Sequence, residues 1–174
     1  MPKPTPKSRL FWPILSILFF TDCGTKQLAE EHLSATYAPY DVVGDVVRFS
    51  LAYNPGAAFG ISPFGPLSRW ALVAITLGIM LLLARLYRET RPHEVRQTMA
   101  LALIFGGAIG NLIDRVRSPQ GVVDFIDVGV GAYRWWTFNV ADVGITMGAL
   151  LLAWALWTRE QEDDEPQKAA VAEA

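Results

Sequence analysis

The sequence predicts an all-α membrane protein with four transmembrane helices, because its apolar residues are too many and too continuous for a soluble chain. Of the 174 residues, 52% are hydrophobic and 18% are charged, whereas soluble domains average about 25% charged residues. A formal net charge of −2 gives no electrostatic support to a nucleic-acid partner. One cysteine and two histidines exclude a disulfide framework, a multi-cysteine metal site and a three-histidine site. Neither a metal nor another cofactor is expected.

Four apolar stretches approach the roughly 20 helical residues that cross a bilayer, and they cover residues 10–28, 67–86, 97–114 and 138–157. The first stretch reaches this length only by carrying Asp22 and Lys26, and the second is the cleanest. The third is rich in glycine and alanine, which lets a neighbouring helix approach closely. The fourth ends at Trp154 and Trp157, which suit a membrane interface.

The distribution of lysine and arginine predicts the orientation of these spans. Nine basic residues fall on the side of the two termini and five on the opposite side, so the positive-inside rule places both termini in the cytoplasm. The basic N-terminus followed by an apolar run imitates a cleavable signal peptide, but three further spans follow, which favours an anchor. One membrane-embedded domain is expected over residues 1–158, and residues 159–174 are predicted to be a disordered acidic tail.

The connection between the first two spans carries its own pattern, over residues 40–61. Val47, Phe49, Leu51 and Tyr53 alternate with more polar or smaller residues, which predicts a strand with one apolar face. An Asn-Pro-Gly turn follows at residues 54–56, and residues 57–61 predict a short interfacial helix. The pattern leaves open whether this small extracytoplasmic β-region is a tethering hairpin or a cradle over a site at the membrane surface.

Polar side chains gather at the predicted outer ends of the third and fourth spans. Asn111 and Asp114 lie three residues apart and therefore on one helical face, and Asn139 and Asp142 repeat that spacing. Asp124 lies in an apolar segment between them and can approach Asp142 if this segment folds back against the spans. Two neighbouring carboxyl groups share a proton. One can then activate water while the other protonates the leaving group.

Other ionisable residues allow structural interpretations, because a charge in a span costs roughly 2.5–3.5 kcal/mol and needs a partner or a function. Asp22 and Lys26 can pair with each other or with Arg115, as a structural or substrate-orienting pair. Asp114, next to Arg115, is as consistent with an ion pair as with a catalyst. Asp127 is expected to be solvated.

Spacing alone leaves two functional classes open for Asp124 and Asp142. One is hydrolysis by a carboxyl pair without a cofactor. The other is a proton-coupled transporter or channel subunit, whose relay would consist of Asp22, Lys26, Asp114 and Asp142. A non-catalytic scaffold is a third possibility. An ion-flux measurement separates the transporter from the hydrolase.

Five blocks of sequence carry a resemblance to a known family: Asp-Cys-Gly-Thr-Lys at 22–26, Asn-Pro-Gly-Ala-Ala-Phe-Gly at 54–60, Gly-Gly-Ala-Ile-Gly-Asn-Leu-Ile-Asp-Arg at 106–115, Val-Val-Asp-Phe-Ile at 122–126 and Phe-Asn-Val-Ala-Asp at 138–142. In this order they resemble the bacterial lipoprotein signal peptidases, the signal peptidase II family. The resemblance covers the chain from about Leu10 to Trp157.

This resemblance implies an intramembrane aspartic endopeptidase of the bacterial inner membrane. Such an enzyme removes the signal peptide of a prolipoprotein, cleaving before a cysteine that already carries diacylglycerol. Asp124 and Asp142 would be the catalytic pair, and globomycin-like cyclic peptides would occupy it. The family's β-cradle and short helix match residues 42–61. Residues that would bind substrate or support the site are Asp22, Lys26, Asn54, Gly56, Asn111, Asp114, Arg115, Asn139 and Ala141.

Overall fold

The computed structural model describes residues 5–34, 38–56 and 68–172, with side chains described to residue 159. In these ranges the elements are α1 (Pro6–Leu33), β1 (Tyr40–Val43), β2 (Val47–Asn54), α2 (Ser68–Glu89), α3 (Val95–Arg117), β3 (Val122–Val130), β4 (Tyr133–Arg134) and α4 (Val140–Ala172). The predicted strand at residues 47–53 is confirmed as β2. The short helix expected at residues 57–61 lies outside the described residues.

Three of the described helices are long and apolar enough to span a membrane. They contain the segments Arg69–Glu89, Val95–Arg117 and Val140–Arg159. Helix α1 has 28 residues, which is sufficient length, but the charges of Asp22 and Lys26 interrupt its apolar run. The fold is therefore mostly helical with three candidate spans and a small antiparallel sheet, and the count of four spans stays a prediction.

Helix α3 is the centre of the bundle, with α1 and α4 packed along it and α2 in contact chiefly with α3. The predicted close approach of small residues is confirmed at Gly107, where a Cβ atom would lie 2.5 Å from the carbonyl oxygen of Ala141 in α4. At Gly106 a Cβ atom would lie 2.9 Å from the carbonyl oxygen of Leu15 in α1. Because α4 lies so close to α3 here, the polar residues near the C-terminal end of α3 and the N-terminal end of α4 come together.

The four strands form one antiparallel sheet in the order β1-β2-β3-β4. Asn54 pairs with Val122 and Ala52 pairs with Asp124 across β2 and β3. Gly121 has a φ of +97° and lies against the carbonyl of Asn54, a position that other residues fit poorly. The segment around Asp124 does fold back against the helices, and it does so as a strand held by β2.

One sequence expectation needs correction. Asp127 is not solvated: its exposed fraction is 9%, and its Oδ1 atom accepts a 2.9 Å hydrogen bond from Nε of Arg134 in an ion pair. The backbone of α4 is helical to Ala172, and the disorder expected for residues 159–174 stays a prediction. The domain boundary at residue 158 stays a prediction.

Candidate active site

Asp124 lies on β3 with 3% of its surface exposed. Its Oδ1 atom accepts a 2.7 Å hydrogen bond from Nδ2 of Asn139, and its Oδ2 atom accepts a 3.2 Å bond from Nδ2 of Asn54. Burial, and secondarily the negative charge of Asp142, raises the pKa of Asp124 from 3.8 to about 7, against the opposing effect of the two amide donors. This carboxyl group can therefore hold a proton near neutral pH.

Asp142 lies in the first turn of α4, and local structure explains its orientation. Its Oδ2 atom accepts a 3.2 Å hydrogen bond from the backbone N–H of Asn139, while its own N–H donates to Oδ1 of Asn139 at 2.9 Å. This reciprocal arrangement has the form of a capping box. The Oδ1 atom of Asp142 accepts a 2.8 Å bond from Nδ2 of Asn111. The start of a helix favours a negative charge, so a carboxylate at the position of Asp142 is stabilised by α4.

Asn139 connects the two acidic residues. It is fully buried, with its side-chain amide donating to Asp124 and its backbone N–H donating to Asp142. The same amide lies 3.1 Å from Oδ1 of Asn111 and 3.3 Å from the carbonyl oxygen of Val123. The structure thus brings Asp124 and Asp142 to one shared donor, an approach that the sequence allowed only if the segment around Asp124 folds back.

A buried ion cluster lies behind this centre, between α1 and α3. The Nζ atom of Lys26 is 2.7 Å from Oδ2 of Asp22, 2.8 Å from Oδ2 of Asp114 and 2.9 Å from Oδ1 of Asn111. Oδ1 of Asp22 accepts the backbone N–H of Ala141 at 2.8 Å. The predicted Asp22–Lys26 pair is confirmed. The cluster joins α1, α3 and the start of α4 directly beside the candidate catalytic carboxylate.

Arg115 supports the opposite side of the site, where the chain leaves β2. Its guanidinium donates to the carbonyl oxygen of Asn111 at 3.2 Å and to that of Gly56 at 3.3 Å. The N–H of Gly56 donates to Oδ1 of Asn54, which closes the turn that aims Nδ2 of Asn54 at Asp124. Together with Asp22, Lys26, Asp114, Asn139 and Ala141, these residues make one connected network. What each contributes to activity stays a prediction.

Two cavities meet at Asp142. One, of about 290 Å³, lies between α2, α3 and α4, and Asn111, Arg115 and Asp142 form its polar end. The other, of about 490 Å³, is lined by α4 and the chain before it, including Trp135, Trp136 and Asp142. The sequence reasoning missed both tryptophans. Their position just before the Phe-Asn-Val-Ala-Asp block is the sequence feature that could have identified them as residues near the site.

The comparisons with known proteins agree with one another. A family model described as "Signal peptidase (SPase) II" matches residues 14–158. A "Lipoprotein signal peptidase" from Xylella fastidiosa (strain M12) is 40% identical over 152 residues, covering 86% of this chain and 90% of the relative. Another from Burkholderia mallei (strain SAVP1) is 44% identical over 106 residues, covering 60% of this chain and 63% of the relative.

Two solved structures of bacterial membrane enzymes, both determined by the in meso method, are similar to this fold. One has a TM-score of 0.72 at 28% identity and covers 86% of this chain and 88% of its own. The other has a TM-score of 0.69 at 29% identity and covers 82% and 89%.

Proposed function

The chain belongs to the signal peptidase II family of proteases, and we propose that Asp124 and Asp142 are the catalytic pair with which it cleaves prolipoproteins before the lipidated cysteine. The observation that carries the proposal is the double contact of Asn139. One buried residue donates to the side chains of both acids, which fixes their orientation toward each other. The two acids belong to separate elements, and the function of this shared donor is to hold them as one unit.

In the proposed mechanism, Asp142 is the base and Asp124 the acid. The carboxylate of Asp142 takes a proton from a water molecule, which attacks the scissile carbonyl carbon. Asp124, whose pKa is raised to about 7 by burial and by the charge of Asp142, gives its proton to the carbonyl oxygen. The tetrahedral intermediate collapses with cleavage of its C–N bond when the leaving amine takes the proton that Asp142 received, and Asp124 takes a proton back from one hydroxyl of the intermediate as the carboxyl group of the product forms. No cofactor takes part.

The two cavities give the substrate a path to Asp142. An apolar signal helix fits the groove between α2 and α4, floored by α3, because the residues along this groove are mostly apolar and its polar end is Asp142. The chain beyond the scissile bond enters the cavity beside Trp135 and Trp136. A globomycin-like cyclic peptide would inhibit by occupying the junction of the two cavities.

The membrane topology belongs to the same proposal. Helix α1 is the fourth span, with both termini in the cytoplasm and the sheet on the outer face of the bacterial inner membrane. Two observations support this arrangement. The charges of Asp22 and Lys26 are buried and paired, which lowers the cost of placing them in a span. Basic residues are also more numerous on the side of the termini.

Asp124→Asn and Asp142→Asn test the catalytic pair. The purified enzyme in lipid vesicles is given a diacylglyceryl prolipoprotein, and release of the signal peptide is followed on gels. Each variant is expected to lose about 10²–10⁴-fold in rate, the usual contribution of an acid or base. Asp41→Asn is the matched control, because its carboxylate is 60% exposed and pairs with Arg48 on the sheet surface. Retained cleavage in either dyad variant would remove that residue from the mechanism.

A further inference from the structure

A polar cavity lies at the end of α3 opposite to the candidate active site. It has a volume of about 340 Å³ and is lined by the α2–α3 connection, the first turn of α3 and, from α4, Ala155, Thr158 and Arg159. Val95 lies at this cavity and Asn111 at the candidate active site, about 24 Å apart along α3 at 1.5 Å per helical residue. We propose that this cavity binds the phosphate of an anionic phospholipid from the adjacent membrane leaflet.

The charge of the cavity favours an anion. Arg91, Arg96 and Arg159 line it together with one carboxylate, that of Glu94. Nη1 of Arg159 lies 3.3 Å from Oε1 of Glu94, and His93 completes the titratable lining. Among the lining residues that the structure describes, Arg91 and Arg96 are positive charges beyond the Arg159–Glu94 pair, and the guanidinium group matches the geometry of phosphate oxygens.

The backbone adds donors to the same cavity, because α3 begins there at Val95. The N–H of Val95 itself donates to the carbonyl oxygen of His93 at 2.9 Å, so the donors in question are the N–H groups of Arg96 and Gln97. The N–H groups of a helix's first turn lack partners within the helix and attract anions. Glu94, the residue before the helix, does not cap them with its side chain. Its Oε2 atom instead accepts the N–H of Arg91. The first turn of α3 therefore has no side-chain cap from its N-cap residue.

Gln97 gives an independent indication of a ligand. Its exposed fraction is 3%, it lines the cavity, and its Nε2 atom has no hydrogen-bond partner in the part of the chain that the structure describes. A buried donor without a partner is costly and rare in native proteins. A phosphate oxygen in the cavity would satisfy this amide and the arginines together.

The surroundings identify the source of the phosphate as a lipid. The guanidinium carbon of Arg96 lies 4.6 Å from the ring centre of Trp154, and this ring is 48% exposed near the end of an apolar segment of α4. Tryptophan at such a position lies at the level of the lipid headgroups. Stacking uses the flat face of the Arg96 guanidinium group and leaves its N–H edge available to a phosphate. The position of Trp154 places the opening of the cavity where phospholipid phosphates are concentrated.

A lipid titration of the full chain tests the proposal. Delipidated protein in neutral detergent is titrated with dioleoylphosphatidylglycerol, and bound lipid is counted by native mass spectrometry. Arg96→Gln is expected to weaken binding about tenfold, the equivalent of one charge-assisted hydrogen bond, and Arg96→Lys to weaken it less. Arg88→Gln is the matched control, since Arg88 is exposed in the last turn of α2 and does not line the cavity. Cleavage activity in detergent is expected to be unchanged in all three variants.

Gln97→Met separates a ligand site from a structural role. It is expected to reduce the rise in thermal midpoint that phosphatidylglycerol causes, without lowering the lipid-free midpoint. Equal binding of phosphatidylglycerol by the wild type, Arg96→Gln and Gln97→Met would overturn the proposal. Parallel titrations with dioleoylphosphatidylcholine and inorganic phosphate identify the source. Equal stabilisation by inorganic phosphate would overturn the lipid assignment in favour of a soluble anion.

Discussion

At the scale of single residues, the raised pKa of Asp124 has the most direct consequence for activity. The carboxyl group is neutral below a pH of about 7 because it is buried and faces the charge of Asp142. If Asp124 donates the catalytic proton, kcat/KM is expected to fall as the pH rises through about 7, with an apparent pKa that belongs to the carboxyl pair. Cleavage measured between pH 5 and 9 checks this. A flat profile over that range would contradict the assignment of Asp124 as the acid.

Stability provides a second readout of the same pKa. Because the folded pKa of Asp124 is about 7 and its ordinary value is 3.8, the folded state binds this proton more tightly than the unfolded state. The contribution of Asp124 to the free energy of unfolding is then expected to be largest below a pH of about 4 and to be lost as the pH rises from about 4 to about 7. Asp124→Asn removes this dependence, so at pH 8 the variant should be at least as resistant to heat as the wild type. Asp41→Asn is the control, and it is expected to keep the pH dependence of the wild type.

Sequence reasoning succeeded at residues whose chemistry has a local cause. The spacing of Asn139 and Asp142 is that of a capping box, and Asp22 and Lys26 are one helical turn apart, so their contacts follow from one helix each. Asp127 was assigned wrongly because its partner, Arg134, is reached only through the turn between β3 and β4. An ion pair across a hairpin, between residues seven positions apart, leaves no periodic signal in the sequence.

At the scale of elements, Lys26 is the tie between α1 and α3. Lys26→Met leaves the buried carboxyl group of Asp22 and the half-buried one of Asp114 without their cation. The loss is expected to be about 3–5 kcal/mol in the free energy of unfolding, measured by thermal or denaturant unfolding in detergent. Arg48→Met is the control, because its pair with Asp41 is on the surface and such pairs contribute about 1 kcal/mol or less. An equal loss of unfolding free energy in both variants would show that the buried cluster does not hold the helices together.

The contact of α3 with α4 has its own test, at Gly107. In Gly107→Ala the new Cβ atom would lie 2.5 Å from the carbonyl oxygen of Ala141, so α4 must move and Asp142 moves with it. Overpacking costs about 1–3 kcal/mol, and a shift of about 1 Å at the chemistry can cost about 10²-fold in rate. Gly78→Ala in α2 is the control, since its Cβ would meet nothing within 4 Å and the change favours the helix by up to about 1 kcal/mol. Unfolding and cleavage assays read out both variants, and wild-type activity in Gly107→Ala would contradict this account.

Elements differed in how well the sequence predicted them. β2 has one apolar face and alternates, whereas Val122 to Phe125 in β3 are all buried. A strand buried on both faces gives an unbroken apolar run without period-two alternation. The pattern therefore predicted only a folded-back segment, and the pairing of β3 with β2 became visible only in the structure.

At the scale of the whole molecule, the relative placement of the helices was beyond the reach of the sequence. An apolar helix such as α2 carries no polar stripe that would identify its packed face. In the structure α2 packs against α3, and none of its spanning segment is buried. Spacing also left transport and hydrolysis open, and it is the family membership of the whole chain that decides for a protease. The groove between α2 and α4 exists because α2 packs chiefly against one neighbour.

Filling this groove tests whether the signal helix of the substrate binds in it. Thr76 lies on α2 and lines the 290 Å³ cavity, so Thr76→Phe places a ring where the substrate is expected and should lower kcat/KM, chiefly by raising KM. A loss of about tenfold corresponds to 1.4 kcal/mol of binding. The neighbouring residue Leu77 is 46% exposed on the outer face, and Leu77→Phe should behave as the wild type because lipid replaces protein as its neighbour. Both variants are assayed with the same prolipoprotein in vesicles. If Thr76→Phe cleaves as efficiently as Leu77→Phe, the substrate reaches Asp142 by a route other than this groove, and the lateral entry between α2 and α4 is wrong even though the catalytic pair stands.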